Sequence, residues 1–205
     1  CVAGSRLLVQ RDIHAEFVEM MNAGMNKITL GDPLDEATEI GPISNGRQFA
    51  YVTGMIDEAS RAGGDIRTRS AKPETGYFVA PTIIAGLDNS ATAAQTEIFG
   101  PVATAIPFTD EAEAIALANS TQFGLAGAVW TADVGRAHRV ADAVRAGTFW
   151  INSYKAIHVS SPFGGSLQSG FGRSSGTDVL MEYTEPKSVW LDTGVKPKIA
   201  FGYVS

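Results

Sequence analysis

The sequence predicts an α/β fold: a mostly parallel, twisted sheet with helices on both faces. Three observations support it. Short apolar runs alternate with segments whose apolar residues recur every three to four positions, as strands alternating with helices require. The runs are nearly continuous rather than alternating in polarity, which suits strands covered on both sides. The 205 residues, 44% hydrophobic and 19% charged, also hold enough apolar material for one buried core.

Taken in order, the small residues of CVAGS lead into a β-type run from Arg6 to Val9. A helix follows from Asp12, and the spacing of Ile13, Phe17, Met20 and Met21 assigns them to its inner face. Ser44 caps a second helix, in which Phe49, Val52, Ile56 and Ala59 share a face and Gly63-Gly64 is the stop. Arg67 and its neighbours form the next strand. Val102 to Phe108 is a strand, Asp110 with Glu113 caps a helix to Asn119, and Leu125 to Trp130 is another strand. Asp133 opens a helix with Val134, Ala137, Val140, Ala141 and Val144 inward; Gly147 ends it, and Thr148 to Asn152 is a short apolar strand. A Ser- and Gly-rich stretch to Gly176 comes next. Loops of this length inside a compact domain are usually functional or disordered; PFGG at 162–165 favours function and predicts a tight turn that holds Phe163. A short helix, Val179 to Tyr183, and a last strand, Ser188 to Leu191, complete the pattern, dividing the chain into a domain at 1–185 and a tail at 186–205.

The formal charge of −6 argues against partners that offer phosphate backbones or anionic lipid, because gripping either needs clustered Lys and Arg. No apolar stretch is long enough for a membrane span, and no signal peptide is visible at the start. One cysteine cannot form an internal disulfide, which fits a reducing compartment and leads to an expectation of cytoplasm.

That cysteine, Cys1, is the strong nucleophile candidate, since a thiol is partly thiolate at neutral pH before any activation. Val2, Ala3, Gly4 and Ser5 after it are small groups that let the backbone turn before a strand and leave amides free for a developing oxyanion. His14, His138 and His158 are scattered, so neither a metal site nor a catalytic triad is expected. The loop glycines do not follow the strand–turn–helix order of a dinucleotide fingerprint. Taken alone, Glu97 in EIFGP is an exposed acid before a strand.

Five segments change that reading: CVAGSR at 1–6, GYFVAPT at 76–82, TEIFGP at 96–101, FGLAGAVWT at 123–131 with WIN at 150–152, and PFGGSLQSGFGR at 162–173. In this order and spacing they resemble the aldehyde dehydrogenase superfamily, from Cys1 to about Leu191. The resemblance implies that Cys1 attacks an aldehyde, that hydride passes to NAD or NADP, and that the resulting thioester is hydrolysed. It implies that Glu97 accepts hydrogen bonds from the nicotinamide ribose while Phe99 and Leu125 pack near the ring. Phe163 would line the substrate channel, Val2 flanks the nucleophile, and Lys155, Ala156 and Ile157 match a loop that tunes substrate choice. Ser188 to Leu191 is similar to the family's C-terminal oligomerisation strand, which implies a homodimer or homotetramer.

Leu167 and Ser174 stand where the family commonly has lysine and glutamate. The family's general-base glutamate, its oxyanion asparagine and its cofactor domain all precede the nucleophile. The chain is therefore expected to be a C-terminal portion that works with a preceding segment of the same protein and is inactive alone. The alternative within the same resemblance is a coenzyme A-acylating aldehyde dehydrogenase. The rival from another class is an N-terminal-nucleophile cysteine hydrolase, which a first-residue cysteine suits but which is built from stacked antiparallel sheets.

Overall fold

The computed structural model describes residues 1–69, 71–191 and 193, together with the backbone of two short strands near the C-terminus. β1 (Arg6–Gln10) runs straight into α1 (Arg11–Met25). Then come α2 (Gly46–Arg61), β2 (Asp65–Thr68), β3 (Thr82–Ala85), the single turn α3 (Thr92–Gln95) and β4 (Val102–Phe108). α4 (Glu111–Asn119), β5 (Ala126–Val129), α5 (Val134–Ala143), β6 (Thr148–Ile151) and α6 (Val179–Glu182) complete the body. Near the C-terminus β7 (Ile199–Ala200) and β8 (Tyr203–Val204) pair antiparallel with each other.

The predicted α/β class is what the chain adopts, with its sheet in two pieces. β1, β4 and β3 are parallel neighbours, and β2 closes the edge antiparallel to β3, in the order β1-β4-β3-β2. β5 and β6 form a separate parallel pair. Both faces of the larger sheet are covered, and two consecutive residues show how. Successive side chains of a strand point to opposite faces. Ile83 therefore packs with Ala85, Ala105 and the α1 residues Val18 and Met25, while Ile84 packs with Val52, Met55 and Ala59 of α2. Each isoleucine is 1% exposed.

Several boundaries differ from expectation. On α1 the inward residues are Val18, Met21 and Met25, whereas Ile13 and Met20 are exposed. Both sets have helical spacing, and packing against Ile83 and Ala105 of the sheet selects the stripe that turns inward. Asn45 rather than Ser44 caps α2, its side chain accepting from the Gln48 amide at 2.9 Å. β3 and α3 were not anticipated: four residues between Pro81 and Gly86 carry little periodicity, and α3 is one turn. Asp110 and Asp133 cap their helices as expected, accepting from Glu113 N at 2.9 Å and Arg136 N at 3.0 Å. Along α5, Ala137 is buried but Val134 is exposed, and the helix stops at Ala143, before Gly147. Ser188 to Leu191 carries no regular strand among the described residues, and Val189, Trp190 and Leu191 are exposed.

Candidate active site

Parallel register creates the site. Arg6 of β1 lies opposite Thr104 of β4, so the segments leading into the two strands, 1–5 and 97–101, emerge side by side at one edge of the sheet. The Ser5 carbonyl accepts from Thr104 N at 2.9 Å and from its hydroxyl at 3.3 Å, which ties the two segments together. As a result the nitrogen of Cys1 lies 3.9 Å from Oε1 of Glu97. The Cys1 side chain is exposed.

Arg6, the last residue of the CVAGSR segment, braces this end of the sheet. Its guanidinium donates to Asn89 Oδ1 at 2.9 Å and to the Leu117 and Ala118 carbonyls, both at 2.8 Å. These carbonyls end α4, where a helix leaves acceptors unpaired and a cation is favoured. Burial pulls the Arg6 pKa below its ordinary value, and three acceptors satisfy the charge.

The turn at 97–100 explains why Glu97 and Phe99 project while Ile98 does not. Ile98 is buried against α2, and Phe99 adopts a left-handed backbone, φ 54°, that turns its ring outward. Gln48 holds this conformation by donating to the Ile98 carbonyl at 2.8 Å and the Phe99 carbonyl at 3.2 Å. Gly100 packs directly on Val52, where an added Cβ would come within 2.6 Å of Cγ1. Gln48 and Val52 thus shape the turn. Sequence reasoning placed Val52 only on a helix face and passed over Gln48, because nothing in its spacing signals a tertiary partner. Leu125 heads β5, its carbonyl accepting from Thr148 N at 3.0 Å, and among the described residues no hydrogen bond or packed core joins it to Phe99.

The long loop is tied down at many points. The Gly124 carbonyl accepts from Ser166 N at 3.0 Å, Ser166 Oγ at 3.1 Å and Gly147 N at 3.1 Å. Phe163 and Ser174 exchange two backbone bonds of 2.7 Å, and Arg173 Nη1 donates to the Gly165 and Gly172 carbonyls at 2.7 and 2.8 Å. The glycines of PFGG serve close approach rather than the tight turn expected of them. A side chain on Gly147 would run into the Gly164 carbonyl, and one on Gly164 into the Gly172 carbonyl; positive φ falls instead at Leu167, Gly170, Gly172, Ser175 and Gly176.

Three predicted pocket residues, Ala156, Ile157 and Phe163, line one cavity of about 200 Å3 together with Trp150, Ser161 and Pro162 among others. Trp150 shapes it by donating from Nε1 to the Ala156 carbonyl at 2.8 Å. Cys1, Val2 and Lys155 do not line it. The volume is below the roughly 300 to 1,000 Å3 of complete small-molecule pockets. The segment that follows Cys1 reaches the loop carrying Lys155 through Val2, whose carbonyl accepts from the Tyr154 hydroxyl.

Among the described residues no cluster of potential ligands could hold a metal ion. His14 faces the Ala105 carbonyl at 3.2 Å and His158 Nδ1 accepts from Ser160 N at 3.2 Å, so both have structural partners. No described helix is long and apolar enough to cross a membrane. The parallel pairing of β1, β4 and β3 is not the stacked antiparallel arrangement of an N-terminal-nucleophile hydrolase.

A profile of the aldehyde dehydrogenase family matches residues 1–189. The betaine aldehyde dehydrogenase of Rhizobium leguminosarum bv. trifolii is 43% identical over 198 residues, which is 95% of this chain and 41% of the relative. Among solved structures, a betaine aldehyde dehydrogenase of Staphylococcus aureus in complex with NAD+ superposes with a TM-score of 0.85 at 38% identity, covering 94% of this chain and 41% of the other. An aldehyde dehydrogenase of Bacillus cereus, a point mutant, gives a TM-score of 0.88 at 38% identity, covering 92% and 39%. The chain thus spans about 41% of the length of the curated relatives it matches. With the profile extending from Cys1 across both sheets and the long loop, this chain belongs to the aldehyde dehydrogenase family.

Proposed function

We propose that these residues are the nucleophile-bearing part of an enzyme that oxidises an aldehyde to a carboxylic acid with NAD or NADP, the remaining segments of the same protein supplying the rest of the site. The observation that carries this reading is that the paired entries to β1 and β4 bring the Cys1 and Glu97 positions side by side, the backbone nitrogen of Cys1 standing 3.9 Å from Glu97 Oε1. Coverage of about two fifths of each relative supports the division of labour.

In the proposed reaction Sγ of Cys1 adds to the carbonyl carbon, making a C–S bond and a thiohemiacetal. Loss of hydride from that carbon and of the proton from its hydroxyl leaves a thioester, and water then cleaves the C–S bond to release the acid and restore the thiol. NAD or NADP, when bound, supplies the hydride acceptor. The residues present fit a nicotinamide riboside: Glu97 offers acceptor oxygens for hydroxyl groups, and the exposed ring of Phe99 projects from the same turn. The Staphylococcus aureus relative, crystallised with NAD+, supports that choice. Leu125 is assigned to the same ring, Val2 to the flank of the nucleophile, and Lys155, Ala156, Ile157 and Phe163 to the substrate side. A cytoplasmic setting suits a single thiol that must stay reduced.

Glu97→Gln in the whole enzyme is expected to slow hydride transfer about a hundredfold while weakening cofactor binding much less, because misorientation of a bound reactant carries a cost of that size. Single-turnover NADH formation measures it, and an unchanged first turnover would return Glu97 to a surface role. For assembly, we propose that Ser188 to Leu191 pairs with a sheet edge beyond this domain. The exposure of Val189, Trp190 and Leu191 supports this. Removing the residues after Pro186 is expected to convert a dimer or tetramer into a smaller species in light scattering, and an unchanged mass would exclude the strand from the interface.

A further inference from the structure

Tyr154 is brought to the nucleophile segment from the far end of the second sheet. Beyond β6 the backbone is left-handed at Asn152, φ 51°, and again at Lys155, φ 59°, so the chain doubles back around Tyr154. The first turn is locked by a reciprocal pair: Thr131 N donates to Asn152 Oδ1 and Asn152 Nδ2 donates to the Thr131 carbonyl, both at 2.9 Å. The ring lies edge-on to Trp150 with centroids 5.0 Å apart and tilted against Trp130 at 6.2 Å, so residues from both strands of the pair fix its direction. Its one polar atom donates to the Val2 carbonyl, in the Val2–Ala3 peptide, the second along the chain from Cys1.

We propose that Tyr154 is a positioning residue for Cys1: its hydroxyl fixes the Val2 carbonyl and so sets where the thiol points relative to the loop of Lys155, Ala156 and Ile157. This inference rests on Cys1 being the nucleophile. The Cys1 side chain is itself exposed, and among the described residues the nearest backbone hydrogen bond tying its segment to the sheet is at Ser5, so the phenol on Val2 is the nearer hydrogen-bonded anchor. The same ring leans on Trp150, whose indole holds the Ala156 carbonyl at 2.8 Å, so one aromatic pair sets the nucleophile and the substrate loop in mutual register. Burial raises the Tyr154 pKa above its ordinary value, which keeps the hydroxyl protonated and a donor through the range in which a thiol reacts.

The test is Tyr154→Phe in the whole enzyme, a change that keeps the ring between its two tryptophans and deletes the donor. The NADH burst and kcat are expected to fall by about tenfold to a hundredfold, the cost of displacing a reacting atom. KM for the cofactor should stay within about threefold and the thermal midpoint within a few degrees. A burst rate within twofold of the parent would overturn the proposal. So would a loss of folding or of cofactor affinity as large as the loss of rate, because that marks a merely structural residue. Cys1→Ala measured in parallel separates the two levels: turnover surviving there would remove the nucleophile assignment itself, whereas an inactive Cys1→Ala beside a normal Tyr154→Phe would remove the positioning role alone.

Discussion

Replacing Cys1 by alanine in the whole enzyme is expected to lower aldehyde-dependent NADH formation by several orders of magnitude while leaving cofactor binding nearly intact. The expectation is large because in the proposed reaction the thiol is a reactant. Without Sγ there is no thiohemiacetal carbon from which hydride can leave, and the remaining groups act only on that intermediate. Cofactor binding should persist because the groups assigned to it are held independently. Glu97 and Phe99 sit on a turn braced by Gln48 and Val52 of α2, and neither brace touches Cys1. The check has two parts, steady-state NADH formation with an aldehyde and a fluorescence titration with the cofactor. Turnover within tenfold of the parent would remove the central assignment.

The second large effect concerns the 205-residue polypeptide by itself, which is expected to show no aldehyde oxidation even with NAD and a reducing thiol supplied. The proposed partner segment would provide the general base, one side of the oxyanion hole and most of the cofactor cradle. Loss of an oxyanion donor typically costs about 10²–10³ in rate and loss of a general base about 10²–10⁴, before any loss of hydride-acceptor binding. The polypeptide should also self-associate. Phe171 is fully exposed, and Leu180, Met181, Tyr183, Val189, Trp190 and Leu191 follow along the same end of the chain, an apolar load that water alone does not favour. NADH absorbance and light scattering on the purified polypeptide measure both properties. Turnover comparable to a whole enzyme would show the division of labour to be mistaken.

The alternation of strands and helices was legible without coordinates because it is written in local periodicity. Asp110 and Asp133 announced their helices through short-range chemistry, an acceptor three residues ahead of an unpaired amide, and both caps are where the residues placed them. β3 was not legible. Its four residues are buried on both faces, and such a run has no polar face to reveal its period. The inner stripe of α1 was ambiguous for the opposite reason: Ile13 and Met20 compete with Val18 and Met25 at equally helical spacing, and only the packing of Ile83 and Ala105 selects between them.

The candidate site divides along the same line. Cys1 and Glu97 could be singled out from residue type and motif, since reactivity and motif order are properties of the chain. Their meeting could not be derived that way, because it depends on β1 pairing with β4 in the register that sets Arg6 opposite Thr104, a long-range choice made by burial of two whole sheet faces. The roles of Gln48, Tyr154 and the glycines of the long loop belong wholly to tertiary structure. A hydrogen bond from Gln48 to the turn at Phe99, a phenol reaching the Val2 carbonyl, and the stacking of Gly147, Gly164 and Gly172 all join residues distant in sequence. By itself the sequence determined which motif residues stand where and, apart from β3, α3 and 188–191, which segments fold as helix or strand, through neighbours a few positions away. The tertiary structure decided which of those residues meet, because contact between distant segments follows from the packing of complete surfaces, which no local pattern encodes.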